Sequence, residues 1–244
     1  MRFFKITILI SVGISFFVSC SEKSETLFIP DHSRYFPVFQ GQQQCFEVRE
    51  INIDAPLNIY DTSTYYLYVI SDTVYTSNNS IFGDYTLLKS ASLNITDPLT
   101  PVGRMQRELT SPHGNYIENK DNCRKIKSLL PISKNKTWNA DVFCTSSDTN
   151  SLSKIKVAHI QALVHQHNFD SIVQIIHLYD SSLIHLNVRQ EIWAAGFGLI
   201  YSEITNIVSN SADLDFTLPI RQRIVTGKID RKSTRLNSSH GYIS

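Results

Sequence analysis

Histidines supply the first candidate chemistry in this sequence. His165 and His167 stand two positions apart, so in a β-strand both side chains would point to the same face. Together with a carboxylate such as Asp170, such a pair has the composition of a transition-metal site. Three further histidines lie close in the sequence, namely His159, His177 and His185. No Cys-x-x-Cys or Cys/His zinc spacing accompanies them, so we favour solvent-facing histidines at a strand end and predict no metal and no cofactor.

Hydrolytic chemistry has no recognisable motif in the chain. A Gly-x-Ser-x-Gly elbow, a His-Glu-x-x-His helix and a phosphate-binding glycine loop are all absent from the sequence. Eight histidines among many serines and aspartates allow a catalytic triad by composition, but no spacing singles one out. Four aspartates lie in or beside predicted turns, which aspartate stabilises: Asp54, Asp61, Asp72 and Asp84. The sequence thus favours a non-enzymatic protein, and a hydrolase without a recognisable motif is the alternative.

Aromatic residues are abundant, with 11 tyrosines and 13 phenylalanines. Such side chains can line a groove for a sugar or a lipid, since each gives a large contact area. They are equally expected in the core of a β domain, and we favour the core interpretation.

The four cysteines divide into one near the N-terminus, Cys20, and three in the body of the chain, Cys45, Cys123 and Cys144. In an oxidising compartment one disulfide is expected, and one thiol is left over. Cys123 and Cys144 are the closest pair in sequence and flank the segment around Trp138. We therefore predict a disulfide between Cys123 and Cys144.

Alternating apolar residues predict strands in the first half of the chain. The segment 44–53 alternates with one slip between Val48 and Ile51, which predicts a strand with a bulge. A turn is predicted at residues 61–63, and a strand rich in aromatic and β-branched residues follows over 64–70. Weaker strand candidates cover 85–95 and 103–109.

The second half carries clearer patterns. Two apolar-rich runs, 154–164 and 169–179, are separated by four polar residues and predict a hairpin. The segment from Glu191 to Glu203 alternates large and small side chains, and its two central glycines would each cost a helix about 1 kcal/mol. We predict one strand there. The fold class that follows is mainly β, with an antiparallel sheet that forms an open or half-closed barrel or a sandwich.

The N-terminus has the organisation of an export signal. Arg2 and Lys5 precede an apolar run over 6–18, which is shorter than the roughly 20 residues of a transmembrane helix. The following Phe17-Val18-Ser19-Cys20 resembles the lipobox of bacterial lipoproteins. The resemblance implies a signal helix cleaved before Cys20 and lipidation of Cys20, with several acyl chains that make a stable anchor. Because Ser21 and not Asp follows the cysteine, it also implies sorting to the outer membrane.

The other end of the chain, from Asp230 to His240, resembles the in-frame translation of a sequencing adapter. The resemblance implies that residues 230–244 are an artefact and that the natural chain continues differently after about Lys228. This tail holds three basic residues and one acidic residue, and the signal holds two basic residues. Without them, the 23 basic and 22 acidic residues of the chain become 18 and 21. A mildly acidic exported chain lacks the basic face that nucleic acid binding demands.

Short motifs along the chain resemble, in order, the landmarks of an uncharacterised family of Bacteroidota lipoproteins. The landmarks are Tyr35-Phe36-Pro37, Phe46-Glu47-Val48, the segment 61–67, the segment 103–107, Leu129-Leu130-Pro131-Ile132, Lys136-Thr137-Trp138-Asn139 and the segment 191–201. The resemblance spans most of the predicted domain. It implies an antiparallel β fold and a lipid anchor, and it carries no activity.

We therefore predict four regions: a lipoprotein signal peptide over 1–19, a lipid-anchored tether over 20–34, a β-rich domain over 35–229 and an adapter-derived segment over 230–244. The expected location is the cell envelope, at the outer membrane, facing the periplasm or the cell surface. The expected partners are the membrane, through the lipid, and a hydrophobic, glycan or protein ligand. Nucleic acid is not expected. The predicted function is that of a non-enzymatic binding or accessory protein.

Overall fold

The computed structural model describes residues 31–93, 97–110, 114–144, 152–209 and 215–234. Within these ranges the chain forms β1 (Gln43–Asp54), β2 (Ile59–Ser77), β3 (Ser80–Ser90), β4 (Thr100–Thr110), β5 (Asn115–Lys120), β6 (Cys123–Leu129), β7 (Thr137–Asn139), β8 (Leu152–Val164), β9 (His167–Ser181), β10 (His185–Ala194), β11 (Gly198–Val208) and β12 (Thr226–Thr234). Short 3₁₀ turns occupy His32–Tyr35, Ala55–Leu57 and Ile220–Gln222. The mainly β prediction is confirmed. The predicted signal helix and Cys20 lie outside the described residues, and in the part described no helix is long and apolar enough to traverse a bilayer.

The strands form a single antiparallel sheet in the order β6-β5-β4-β3-β2-β1-β12-β11-β10-β9-β8-β7. Strands that follow each other in sequence are neighbours, except for β6 and β7, and β1 also pairs with β12 from Phe46–Thr234 to Asp54–Thr226. The two halves of the meander are thereby joined, and β6 and β7 are left as the outermost strands. The sheet curls into a nearly closed barrel with an unsealed seam between β6 and β7, so the barrel alternative is the one realised.

In the described residues, individual contacts bridge the seam between β6 and β7, which are not paired as neighbouring strands of the sheet. The Ile126 amide donates to the Ala140 carbonyl at 2.9 Å, and the Trp138 indole donates to the Ile126 carbonyl at 2.8 Å. A disulfide joins Cys123, at the β5–β6 turn, to Cys144, just beyond β7. These contacts hold the short β7 against β6 at one end of the barrel.

One face of the sheet points into the barrel. Tyr116 on β5 and Trp193 on β10 are far apart in the strand order, yet their ring centroids lie 5.3 Å apart. They therefore meet across the interior, and alternate residues of each strand share this inner face. Phe46 and Val48 of β1 are fully buried on the inner face.

The segment 31–42, which we call the N-terminal plug, fills one end of the interior. Tyr35 and Phe36 are both completely buried. The Phe36 ring stacks on Tyr116 at 4.5 Å and meets Trp193 edge-on at 5.0 Å. The folded part therefore includes residues 31–34, which lie in the range predicted as tether.

The slip in the apolar alternation of β1 marks the point where the buried face of the strand changes. β1 pairs in unbroken register with both β2 and β12, so the predicted bulge is wrong. Val48 faces the interior, whereas Ile51 lies on the outer face and packs against an apolar cluster around Ile229, which residues 220 and 224 of the β11–β12 connection also cover. The apolar residues therefore move from even-numbered to odd-numbered positions, because apolar neighbours bury the inner face of β1 at Val48 and its outer face at Ile51.

The predicted turn at 61–63 is also wrong, because these residues lie inside β2. The chain turns earlier, through Ala55–Leu57, and Asn58 takes a left-handed φ of 56°. The Asp54 carboxylate accepts a hydrogen bond from the Leu57 amide at 3.4 Å. Asparagine tolerates the left-handed conformation better than most residues, which explains its place at the end of the turn.

The segment predicted as one strand over 191–203 is a hairpin. β10 ends at Ala194, β11 begins at Gly198, and the connecting glycines Gly196 and Gly198 have φ values of +79° and +87°. A Cβ atom at Gly198 would lie 2.9 Å from Gln44 Nε2, so a larger residue would displace the side chain that bonds the Phe197 carbonyl. The two glycines allow the positive φ angles of the turn, and Gly198 lets Gln44 of β1 lie close to the backbone. The single-strand prediction is therefore wrong.

The predicted hairpin of the second half is present as β8 and β9, with a turn at His165 and Gln166, both at positive φ. β8 contains several register shifts, and its tip folds over the outside of the barrel. There the His165 ring lies 5.2 Å from Tyr201, and Phe169 meets Phe197 edge-on at 5.4 Å.

The last described strand, β12, includes residues 230–234 of the predicted adapter-derived segment. They pair with β1 on one side and with β11 on the other. Residues 235–244 lie outside the described part of the chain. The adapter origin of 230–244 stays a prediction.

Candidate functional site

The barrel is open at the end opposite the N-terminal plug, and we call this end the mouth. Near the plug the inner face is buried, as at Trp193, which is 1% exposed. Toward the mouth the same face is solvent-accessible, with exposures of 44% for Ile59, 40% for Ile204 and 37% for Val208. Strand pairing places all three on the inner face. The interior is therefore filled at one end and open to solvent at the other.

Polar groups line the inner wall between the mouth and the filled interior. The Tyr65 hydroxyl donates to Glu50 Oε1 at 3.1 Å, and Lys228 Nζ lies 3.8 Å from the same oxygen. Lys89 Nζ lies over the Tyr65 ring, 3.8 Å from its centroid. Burial and the Glu50 carboxylate raise the pKa of Tyr65, so the phenol remains a donor at neutral pH. The wall combines fixed donors with apolar surface.

Connections at the mouth, together with the strand ends that adjoin them, carry most of the exposed apolar side chains of the described residues. On the connections they are Leu57, Leu93, Val142, Phe143, Leu183, Ile184, Phe216 and Leu218, and on the adjoining strand ends they are Ile59, Tyr60, Leu152 and Tyr179. The plug end and the hairpin tip carry Phe39, Tyr75, Ile160 and Leu163. Scattered exposed apolar residues are ordinary, but a concentration around one rim indicates an interaction surface.

Below the mouth, charged side chains cross the barrel in a group that we call the inner network. It comprises Arg107, Glu118, Lys127, Ser153, His177 and Glu191. Lys127 Nζ lies 3.5 Å from Glu118 Oε2 and forms a close ion pair with Glu191 Oε1. Arg107 Nε is 3.5 Å from Glu118 Oε1, an ion pair without a hydrogen bond at that nitrogen. Two cations thus face two carboxylates, and the buried formal charge is balanced.

Glu191 is the most highly connected group of the inner network. Besides Lys127, it accepts from the Trp193 indole at 3.1 Å and contacts His177 Nε2 at 3.2 Å. Burial alone would raise the pKa of Glu191, but Lys127 and His177 outweigh it and hold the pKa well below the usual range. Burial lowers the pKa of His177 despite the neighbouring carboxylate. The network therefore contains an ionised Glu191 and a neutral His177 at pH 7.

Ser153, His177 and Glu191 have the connectivity of a catalytic triad. Ser153 Oγ lies 2.9 Å from His177 Nδ1, and His177 Nε2 contacts Glu191. A neutral histidine that donates to Glu191 accepts from Ser153, which is the protonation state that activates a serine. Ser153, however, is 0% exposed. In this conformation a substrate cannot reach its hydroxyl, and the arrangement works as a buried polar network.

Hydrogen bonds connect Arg107 of the inner network to β1 and the β10–β11 turn, and the Arg107 guanidinium also lies over the ring of Tyr85, which bonds the plug. Arg107 Nη1 donates to Gln44 Oε1 at 3.3 Å, and Gln44 Nε2 donates to the Phe197 carbonyl at 2.8 Å. The Tyr85 hydroxyl donates to Gln42 Oε1 at 2.8 Å. The plug, the β10–β11 turn and the charged layer therefore form one continuous interior.

The structure joins Cys123 to Cys144, the two cysteines paired in the sequence analysis. Their sulfurs and an Asp141 oxygen lie within 4.8 Å of one another. The sulfurs are committed to the disulfide, so the group cannot supply thiolate ligands. Cys45 is a buried thiol, and Cys20 lies outside the described residues.

The histidines first considered as ligands are dispersed. His165 and His167 are exposed on the hairpin tip with Asp170, and among the described residues they belong to no group of three potential ligands. The shallow depression beside them has no room for a water molecule. His185 bonds Asp180 at 2.9 Å on the surface.

The inner network has no sequence signal of its own. Its members come from six strands, so no fixed spacing relates them. The one usable clue is at Glu191, which stands two positions before Trp193 and therefore shares the face of that ring in a strand. No protein-family model, curated protein or solved structure matches this chain. The resemblance to Bacteroidota lipoproteins therefore stays a prediction.

Proposed function

We propose that this protein is a lipid-anchored component of the cell envelope that binds an apolar surface of a partner protein at the mouth of the barrel, without catalysis. The observation that carries the proposal is the exposure of Ile204 and Val208 on the inner wall, continuous with the apolar rim. The interior at the other end is occupied by the protein's own aromatic plug. Only the mouth offers unfilled apolar surface on the inside of the barrel as described.

The distribution of the rim residues favours a protein over a small ligand. They come from four or more connections around the mouth, including those that carry Leu57, Phe143, Leu183 and Phe216. A small ligand would contact one side of such an opening, whereas a protein segment can cover the rim and insert into the wall. Aromatic and aliphatic anchors surrounded by polar groups are typical of protein interfaces.

The envelope location rests on the predicted lipobox and its Cys20. The first described residue, Asp31, lies at the plug end. An extended segment between Cys20 and Asp31 spans at most about 36–40 Å. A lipid at Cys20 would therefore keep Asp31 within about 40 Å of the membrane.

Site-specific photocrosslinking in the producing cells tests this proposal. Leu183 on the rim and Leu163 on the hairpin tip are matched leucines, 70% and 67% exposed. We expect a photoreactive amino acid at 183 to give a discrete protein adduct that is absent from position 163 and is weakened by Leu57→Ser. Equal adducts at both positions, or none at 183, would contradict the proposal. An adduct with a second copy of the chain would indicate self-association at the mouth.

A lipid-anchored hydrolase is the second candidate, and the contact of Ser153 with His177 is the observation that favours it. If the barrel opens transiently, a fluorophosphonate probe should label the intact protein, and Ser153→Ala should abolish the labelling. Ser171, which bonds Tyr35 at 2.5 Å, offers a matched control in Ser171→Ala. Labelling that is absent, or that persists in Ser153→Ala, would reject this candidate and leave the binding proposal untouched.

A further inference from the structure

We propose that His32 and His159 form an acid-sensitive latch that holds the N-terminal plug in the barrel. The two residues belong to different parts of the chain, the plug and β8. Their ring centroids lie 4.5 Å apart at an interplanar angle of 35°. The pair lies beside Tyr35, the first fully buried side chain of the plug.

His32 fastens the plug to the connection between β6 and β7. The Ile132 amide donates to His32 Nδ1 at 2.8 Å. A ring nitrogen can accept a hydrogen bond only when it carries no proton. Protonation of His32 at Nδ1 therefore removes this bond and places two donors against each other.

His159 fastens the plug to β8 in the same manner. Its Nε2 lies 3.4 Å from the Ile132 carbonyl, which can only accept, and its Nδ1 lies 2.8 Å from the Tyr35 hydroxyl. The tautomer that satisfies both contacts has its proton on Nε2 and accepts from Tyr35. Tyr35 in turn can accept from Ser171, whose Oγ is 2.5 Å away.

The surrounding charges also disfavour a proton at the latch. Burial lowers the pKa of His32, and His159, Arg34 and Lys136 lower it further, while Asp31 alone raises it. Lys136 is held nearby because its ammonium donates to the carbonyls of Leu130 and Pro131. Two imidazolium ions 4.5 Å apart would repel each other directly.

Because the docked plug favours the neutral form of His32, acid is expected to favour release of the plug. Above pH 6.5, the ordinary histidine pKa, docked and released plugs are both neutral, and docking is at full strength. As pH falls below 6.5, the released segment takes up protons that the docked segment excludes, and release is favoured. At pH 5.0 a docked His32 that must stay neutral increases the released fraction by at most about 30-fold.

Trp193 reports the plug directly, because Phe36 packs on its ring. The experiment measures acrylamide quenching of Trp193 between pH 7.5 and 5.0 in the full chain carrying Trp138→Phe, which leaves one tryptophan. Hydrogen–deuterium exchange at the Ile132 amide, corrected for the intrinsic pH dependence of exchange, follows the latch bond itself in the unmodified chain. We expect quenching and Ile132 exchange to rise together below pH 6.5.

The key variant is His32→Asn with His159→Asn. Asparagine offers a non-titrating acceptor near the position of Nδ1, and it tolerates the φ of 56° found at His159. His165→Asn is the matched control, since His165 also has a positive φ of 46° but lies on the exposed hairpin tip. The double variant should lose the pH dependence and the control should keep it. The latch would be overturned by a parent chain without a pH response, or by a double variant that keeps the full response. If the double variant does not fold at pH 7.5, unchanged protection of the Ile132 amide in the parent chain at pH 5.0 overturns the latch.

Discussion

Replacing Glu191 by glutamine should destabilise the barrel more than any single change at its surface. The carboxylate accepts from Lys127, His177 and the Trp193 indole inside the barrel. Glutamine keeps the shape and one acceptor oxygen but removes the charge. Lys127 would then retain only Glu118, at 3.5 Å, as a counter-charge.

The expected cost is about 3–5 kcal/mol of unfolding free energy at pH 7, the range for breaking a buried ion pair by removing one partner. For a domain of this size, that lowers the melting temperature by roughly 6–20 °C. Urea unfolding followed by far-ultraviolet circular dichroism measures the loss without relying on Trp193 fluorescence. Lys127→Met should cost a similar amount, and the double variant should cost less than the sum of the two, by about 0.5–3 kcal/mol.

The pH dependence supplies a second, independent readout. Because the pKa of Glu191 is lowered in the folded state, its stabilising contribution is complete above the ordinary value of 4.5 and is lost as pH falls below it. The Glu191→Gln variant should therefore show a flatter decline in stability between pH 5 and pH 2 than the parent. A loss of less than about 1 kcal/mol at pH 7, with an unchanged acid limb, would mean that water reaches the inner network and screens it.

Three further substitutions probe the elements that surround the network, each by urea unfolding. Replacing both Cys123 and Cys144 by serine should cost about 3 kcal/mol through the 21-residue separation that the disulfide closes, and dithiothreitol should reproduce the loss in the parent but not in the variant. Phe36→Ala should cost about 3–5 kcal/mol, since it removes a fully buried ring from Tyr116 and Trp193; a cost near zero would mean that the plug is not docked in solution. Gly196→Ala should cost about 1–2 kcal/mol from the φ of +79° alone, because a Cβ there meets no atom within 4 Å; a larger loss would point to a clash.

Sequence patterns were sufficient for the fold class because most strands alternate clearly. β8 and β9 were placed by their apolar runs and the polar turn between them. The patterns failed where a strand is covered on different faces along its length, as in β1, where Val48 points inward and Ile51 outward. Period-two alternation assumes one buried face, so a change of cover resembles a bulge.

The open mouth and the inner network could not be predicted for a related reason. Both depend on which strands meet across the interior, and that is set by the closure of β1 against β12 at opposite ends of the described chain. Glu191 lies two positions before Trp193 in sequence, but its partner Lys127 is 64 residues away. Periodicity carries no information on contacts at that distance.

Residues 230–234 test the adapter interpretation through the chemistry of one position. Asp230 lies on the inner face opposite Glu50, and burial together with that carboxylate raises the pKa of Asp230. An acidic residue placed beside another in a half-buried wall is destabilising, whereas Ile229, the residue before it, is well buried in an apolar cluster. The fit between residue and environment therefore declines at Asp230, where the adapter resemblance begins. Genomic DNA read across the Lys228 codon should show a different continuation, with a non-acidic residue opposite Glu50. A genomic frame that encodes residues 230–244 and then stops would refute the adapter origin, and Asp230 would then be a natural residue of the inner wall.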